Sequence, residues 1–404
     1  MNRNFWLLIT GQFTSNIGST ISELGISWLV LKEYSITEFT IFSGICLLPR
    51  VILTPLLAPL FERVNKKLLM ILSDIVKGIC LFTMYLLFLT KGLRYEYIVS
   101  LMFVHGLVGV LFSIAVEPLY YDILSLDEYP KGTSLRELFG RMAPLIGPSA
   151  TAIIMAISGN IGLLLLIDSI TFFVSALCIV FIRLHMKTDF EKTPKTTGFS
   201  SYAKNLFQGL AYVSKNKNLL MLFTSLIAIG SMLGVLASIM PIYIRDHLSS
   251  GVVGLSIFQL IGNAGAIIVA IGLTIWQYKS SHSSIYSFGV GIIGIVVMGL
   301  VVTSNFYAAT FIYFLLQVTI TIASYAAKIL LRENIEDDYK TRAYSLMSME
   351  QLLQPITISL SGLAIKAIGI DSIVMIIGIT IMIIGLVLLV INFKTSLVFS
   401  RILD

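Results

Sequence analysis

The stretch 161-IGLLLLIDSITFFVSALCIVFIR-183 decides the fold class of this chain. Before Arg183 it carries one charged side chain, Asp168. A helix of about 20 apolar residues crosses the hydrocarbon core of a bilayer. The stretch therefore predicts a transmembrane helix, and similar apolar runs recur on both sides of it.

The composition extends this prediction to the whole chain. Of 404 residues, 56% are apolar and 12% are charged, against about 25% charged residues in soluble domains. These values exclude an ordinary cytosolic enzyme, a nucleic-acid-binding domain and a disordered chain. All three cysteines lie inside apolar runs, so the pattern indicates neither disulfides nor a metal cluster.

Twelve apolar segments are predicted, which gives an all-α polytopic membrane protein. A polar interval at 184–217 divides the chain into six-helix bundles at 1–183 and 218–404, and it should hold a short interfacial helix. The predicted segments are 5–31, 37–61, 68–90, 97–121, 135–157, 161–183, 218–243, 254–277, 285–303, 307–331, 343–367 and 372–393.

The distribution of Lys and Arg predicts the orientation. With a cytoplasmic N-terminus, the inner loops and the span ends next to them hold 19 of the 28 basic residues, the outer loops and their adjoining span ends hold five, and four lie deeper inside the spans. Cytoplasmic loops of membrane proteins carry such an excess of basic residues. Both termini are therefore predicted to be cytoplasmic.

An internal repeat relates the two halves. The strings 134-SLRELFGRMAP and 345-SLMSMEQLLQP share their Ser-Leu pair and the proline ten residues after the serine. They place the fifth and eleventh segments at equivalent positions in two parallel repeats, an architecture typical of secondary transporters.

The loop 58-APLFERVNKK resembles the signature loop of the major facilitator superfamily, with Glu62, Arg63, Lys66 and Lys67 at its charged positions and Ala58 where that family has glycine. The pair Gly147–Pro148 is similar to part of the superfamily's antiporter motif. The tracts 11-GQFTSNIG, 112-FSIAVEP and 166-LIDSITFFVSAL resemble the bacterial drug:proton antiporter branch that includes macrolide-efflux and siderophore-export carriers.

This resemblance implies alternating access, with the first, fourth, seventh and tenth helices around a central cavity. It also implies that the signature loop latches the cytoplasmic side. We expect Arg63 to pair with Asp122 and Glu117 to pair with Lys328 across the halves when that side closes. The alternatives are that the loop charges only set the topology and that Glu117 and Lys328 lie on solvated faces.

Ionisable residues inside spans need a physical reason, because each costs about 2.5–3.5 kcal/mol on insertion scales. Gln12, Asn16 and Glu23 form one polar face of the first helix, so Glu23 is a candidate for proton coupling or a hydrogen-bonding residue. The further candidates are Glu117 and Asp168 for proton coupling, with a structural role favoured for Asp168, and Arg50 and His105 for the substrate cavity.

Two ionisable residues receive a different prediction. Asp74 and Lys77 lie near the inner end of the third segment, where both are expected to extend to the membrane surface.

The string 289-GVGIIG matches a dinucleotide-binding fingerprint, but it lies inside an apolar segment without a preceding strand. Small residues that allow close helix packing are its better interpretation.

The sequence therefore predicts a secondary transporter and no enzyme. It would export an amphipathic drug, macrolide-like compound or metallophore from a bacterial inner membrane by proton antiport. Its expected partners are the substrate and the bilayer, with no nucleotide, nucleic acid, metal or cofactor, and it should be a monomer. The alternatives are a lipid or lysolipid translocase of the same fold and, from another class, a membrane-embedded transferase.

Overall fold

The computed structural model describes residues 1–53, 64–125, 127–183, 208–275, 282–335 and 348–403. Within these ranges the chain forms helices and turns and no strand, which confirms the predicted all-α fold. The long helices are α1 Arg3–Glu33, α2 Ile36–Leu48 continued by a π-helical turn Pro49–Leu53, α3 Lys66–Leu89, α4 Tyr95–Ile123, α5 Tyr129–Ser158, α6 Ile161–Val180, α7 Lys217–Asp246, α8 Val252–Ile275, α9 His282–Val302, α10 Phe306–Asn334, α11 Ser348–Ile368 and α12 Ile370–Leu403.

Ten helices of the described residues are long and apolar enough to cross a membrane. The apolar part of α11, Leu352–Ile368, is shorter than these spans. We attribute the absence of α1 from the set to the hydroxyl and amide side chains in its middle, which lower its mean hydropathy. The helices match the predicted segments closely, with two main exceptions. Helix α5 begins at Tyr129, before the predicted start at 135, because a proline in its first turn favours helix initiation. Helix α12 continues to Leu403, beyond the predicted end at 393.

The predicted linker lies mostly outside the described residues. Its described end is helical over 208–215. The boundaries predicted for the two bundles and the linker stay predictions.

The chain folds into two compact units, Met1–Asn205 with Gln354–Ser359, and Leu206–Leu353 with Leu360–Asp404. In the first unit, α1 packs against α5 and α6, and α3 packs against α4 and α6. In the second unit, α9 packs against α10 and α12, and α8 packs against α10. The pairs α3–α4 and α3–α6 thus recur as α9–α10 and α9–α12, as expected of a repeat.

Glycines bring helix backbones into contact in both units. Along α1, Gly11, Gly18 and Gly25 recur every seven residues and face α6, and this set is called the glycine seam. In the second unit, Gly294 of α9 lies against the backbone of α12 at Gly378. The interpretation of 289-GVGIIG as a packing sequence is therefore confirmed.

Substitution of Gly294 should destabilise the second unit. A Cβ atom at this position would lie 2.6 Å from the Gly378 carbonyl oxygen and 2.7 Å from the Met382 Cα atom, and backbone atoms cannot rotate away. We expect Gly294→Ala to lower the free energy of unfolding by about 1–3 kcal/mol, which is typical of overpacking. The midpoint of thermal denaturation in detergent measures this loss.

Gly291→Ala is the matched control, since a Cβ atom at Gly291, in the same helix, would meet no atom within 4 Å. Its denaturation midpoint should equal or slightly exceed that of the wild type, because alanine favours a helix more than glycine does. Equal midpoints for both variants would contradict close packing of α9 against α12.

Candidate functional site

The polar face of α1 lies beside a cavity in the first unit. The helix begins after Asn2, whose side chain accepts a hydrogen bond from the Phe5 N–H at 2.9 Å. The helical repeat of 3.6 residues places Gln12, Asn16 and Ser19 on one face, and all three line the cavity. Glu23 lies a turn further along, and its side chain is exposed.

The cavity has a volume of about 500 Å³ and is bounded by side chains from five helices. Polar and charged residues form one part of its wall, and aromatic rings form another. The lining residues are Ile9, Gln12, Phe13, Ser15, Asn16 and Ser19 of α1, Asp74 and Lys77 of α3, Phe112, Ser113 and Val116 of α4, Arg136, Glu137, Phe139, Gly140 and Arg141 of α5, and Phe172 of α6.

A connected set of side chains fixes one wall of this cavity. Arg136 forms an ion pair with Glu117 at 2.5 Å, and its guanidinium lies 4.8 Å from the centre of the Tyr120 ring. The Tyr120 hydroxyl donates a hydrogen bond to Gln12 Oε1 at 2.9 Å. Glu117 is thus paired inside the first unit. Its predicted pairing with Lys328, an exposed residue of α10, stays a prediction.

The prediction for Asp74 and Lys77 was wrong. Both are buried, with exposed fractions of 0% and 9%, and both line the cavity instead of reaching the membrane surface. The Lys77 Nζ atom lies 3.9 Å from Asp74 Oδ1, and the other Asp74 oxygen accepts a hydrogen bond from Ser175 at 2.7 Å. An acid and a base three residues apart inside one span was the signal for such a pair.

The buried Asp168 joins α6 to α1. Its carboxylate accepts hydrogen bonds from the Ser22 hydroxyl at 2.5 Å and from the Thr171 hydroxyl at 3.1 Å. Charged groups buried away from water need such donors. The geometry supports the structural role favoured for Asp168, whereas its role in proton coupling stays a prediction.

The other predicted cavity residues lie apart from this cavity. Arg50 is exposed on the π-helical turn after α2, and Glu23 has no ion pair with it or hydrogen bond to any described residue. The ring of His105 in α4 packs edge-on against Phe172 with 5.5 Å between centroids. The described residues include no group of three or more His, Cys, Asp or Glu that could hold a metal ion.

Of the signature-loop residues, Glu62 and Arg63 lie outside the described residues. Lys66 is the first residue of α3, and Asp122 is exposed near the end of α4. The Lys67 ammonium donates hydrogen bonds to the carbonyl oxygens of Val180, at 2.8 Å, and Ile182, at 2.7 Å. Lys67 therefore caps the C-terminal end of α6, where a cation is favoured, and the predicted gate stays a prediction.

The two residues of the antiporter motif lie where α5 meets α1. A Cβ atom at Gly147 would lie 2.5 Å from the Cβ atom of Thr20, so the missing side chain lets the two helices approach. Pro148 follows inside α5. The motif contacts α1 between Asn16 and Glu23 on the chain, which places it close to the polar face.

The hydrogen bond between Ser22 and Asp168 should be measurable as a coupling free energy. Ser22→Ala and Asp168→Ala should each lower the free energy of unfolding. The loss in the double variant should be smaller than the sum of the two single losses by about 0.5–3 kcal/mol. Equilibrium unfolding of the two single variants and the double variant in detergent measures this difference.

A second cycle serves as the control. It pairs Asp168→Ala with Ser175→Ala, because the Ser175 hydroxyl donates to Asp74 and not to Asp168. The effects of this pair should be nearly additive. Additive effects of Ser22→Ala and Asp168→Ala would contradict the bond.

Comparison with known proteins gives this geometry a context. The model of the Major Facilitator Superfamily matches residues 8–353. BacE of Bacillus subtilis (strain 168), named as a bacilysin exporter, is 24% identical over 326 residues, which cover 79% of this chain and 78% of BacE. Macrolide efflux protein A of Streptococcus pyogenes is 19% identical over 375 residues, 91% of this chain and 90% of that protein.

Solved structures show the same fold at lower identity. The nucleoside transporter NupG superposes with a TM-score of 0.70 and 14% identity, covering 96% of this chain and 99% of NupG. A bacterial homologue of the iron transporter ferroportin, in its inward-facing state, gives a TM-score of 0.69 and 12% identity, with 96% of this chain and 98% of the homologue covered.

Proposed function

We propose that this chain, which belongs to the Major Facilitator Superfamily, exports an amphipathic small molecule by proton antiport and alternating access. Membership in that superfamily and the apolar helices make it a multi-pass membrane transporter and not an enzyme. In our proposal it works as a monomer in a bacterial inner membrane, with both termini in the cytoplasm.

The cavity of the first unit is the observation that carries this proposal. Small-molecule sites combine an apolar or aromatic wall with a few polar groups that fix orientation. Here Phe112, Phe139 and Phe172 supply aromatic surface, while Gln12 and Asn16 supply amide groups. A substrate with an apolar body and polar groups suits such a wall.

The relatives support export as the direction of transport. Two relatives from different genera are named for outward transport, one for the export of bacilysin and one for the efflux of macrolides. The solved structures are less than 15% identical to this chain and support the fold alone. We therefore propose export, with drugs, macrolide-like compounds and metallophores as the substrates to test.

Glu23 is the residue that we propose for proton exchange. A proton-coupling carboxyl must be reachable from water and must not be held charged by a fixed cation. The Glu23 side chain is exposed and has no ion-pair partner among the described residues. By contrast, Glu117 is paired with Arg136, and Asp168 is buried against two hydroxyl groups.

The transport proposal can be tested with purified protein in liposomes that contain a pH-sensitive dye. A pH gradient is imposed and macrolides, lipophilic cations and metallophores are added in turn. We expect a substrate-dependent proton flux in the wild type. Glu23→Gln should reduce this flux to the level of protein-free liposomes, because a neutral amide cannot release a proton.

Glu33→Gln is the matched control, since Glu33 ends the same helix and has an exposed side chain. Its proton flux should equal that of the wild type. Flux that survives in Glu23→Gln would move the proton site to Glu117 or Asp168. Absence of flux with every compound that binds would overturn proton antiport.

A further inference from the structure

The pair formed by Asp74 and Lys77 has unused hydrogen-bonding capacity. The distance of 3.9 Å between Lys77 Nζ and Asp74 Oδ1 is within ion-pair range but too long for a hydrogen bond. Asp74 Oδ1 is buried and has no hydrogen-bond partner, and no described residue accepts a hydrogen bond from the Lys77 ammonium. A buried donor or acceptor without a partner costs about 1–3 kcal/mol, and more when it is charged.

Aromatic rings hold the Lys77 ammonium in place. Its Nζ atom lies 4.7 Å from the centre of the Phe112 ring and 5.0 Å from the centre of the Phe172 ring. Ring faces attract a cation but accept no conventional hydrogen bond. The three N–H donors of Lys77 therefore remain available to a molecule in the cavity, and both rings line the same cavity.

The other charges around the cavity are already balanced. Arg136 is paired with Glu117. Arg141 lies 4.0 Å from Glu137, and the side chains of Arg141 and Glu137 are both exposed. Asp168, which interacts electrostatically with Lys77, accepts two hydroxyl hydrogen bonds. His105 is also close enough to Lys77 to interact with its charge. The Asp74–Lys77 pair is thus the buried pair of the lining whose charged atoms are not hydrogen-bonded to each other.

We propose that the Asp74–Lys77 pair binds the charged groups of a zwitterionic substrate, with its carboxylate on Lys77 Nζ and its ammonium on Asp74 Oδ1. The identity of this molecule as a substrate rests on the transport function proposed above. The pair is neutral as a whole, so a lone anion would leave Asp74 without a counter-ion and a lone cation would leave Lys77 without one. A zwitterion supplies both counter-ions and keeps the buried site neutral.

The rest of the substrate is specified by the same wall. An aromatic or apolar body next to the carboxylate would contact Phe112 and Phe172, and the amide groups of Gln12 and Asn16 face the same space. The chemical class is therefore an amphipathic molecule with an amino group and a carboxylate close to each other.

Binding of four matched probes to the detergent-solubilised protein tests this site. Phenylalanine is zwitterionic, N-acetylphenylalanine is an anion, phenylalaninamide is a cation and N-acetylphenylalaninamide is neutral, while all four carry the same ring. By isothermal titration calorimetry at slightly acidic pH, where phenylalaninamide is largely protonated, we expect phenylalanine to bind roughly tenfold more tightly than each singly charged probe, because each of these lacks one charged hydrogen bond. It should bind roughly a hundredfold more tightly than N-acetylphenylalaninamide, which lacks both.

Two substitutions assign the two charges. Lys77→Met should lower the affinity for phenylalanine and N-acetylphenylalanine and leave phenylalaninamide unaffected or improved. Asp74→Asn should have the converse effect on the singly charged probes. The double variant Lys77→Met/Asp74→Asn keeps the site neutral, so it should fold even where a single variant does not, and it should bind the four probes alike.

Lys32→Met is the matched control, because Lys32 is an exposed lysine at the end of α1. Its probe preference should equal that of the wild type. Equal affinities or no measurable binding in the wild type, or an unchanged preference in the double variant, would overturn the inference. The titration uses no gradient, so its outcome is independent of the flux assay. No preference for the zwitterionic probe together with a substrate-dependent proton flux would overturn the zwitterion site alone. A clear preference together with no proton flux would overturn the transport proposal alone.

Discussion

The need to satisfy every backbone N–H and C=O group inside a bilayer is the constraint on which this structure depends. Hydrocarbon offers no hydrogen-bond partners, so a spanning chain without a closed barrel must be helical. Once the backbone is fixed in this way, side chains alone can distinguish one helix from another. In this chain, a small number of glycines and polar residues carry that distinction.

Close packing and polarity are combined on the same helices. On α1, the glycine seam brings the backbone against α6, and the polar face turns toward the cavity. Asp168 belongs to both arrangements, since it lies against Gly18 and accepts a hydrogen bond from Ser22. The buried acid therefore strengthens a contact that the small residues make possible, in a solvent where apolar burial gives helices little reason to associate.

Much of the fold could be predicted from the sequence, because hydropathy and the positions of Lys and Arg act over whole segments. Side-chain partners were harder to predict, since they depend on helix rotation. Asp74 and Lys77 looked like residues near a membrane surface, but α3 turns them inward to the cavity. Glu117 was expected to pair with Lys328, and its partner inside the first unit, Arg136, lies on a different helix with no signal in the spacing.

The glycine seam also sets the rotational register of α1. At about 100° per residue, the positions 11, 18 and 25 define one direction, and Gln12, Asn16, Ser19 and Glu23 lie roughly 100–160° around the helix from it. The packing of the glycine seam against α6 therefore fixes the direction in which the polar face points, although the two sets of residues lie on different sides of the helix. A side chain at Gly18 would collide with Thr171 and Asp168 of α6, so α1 would have to turn about its axis or move away from α6. Either movement would displace the amides and the carboxylate relative to the cavity without changing their positions along the chain.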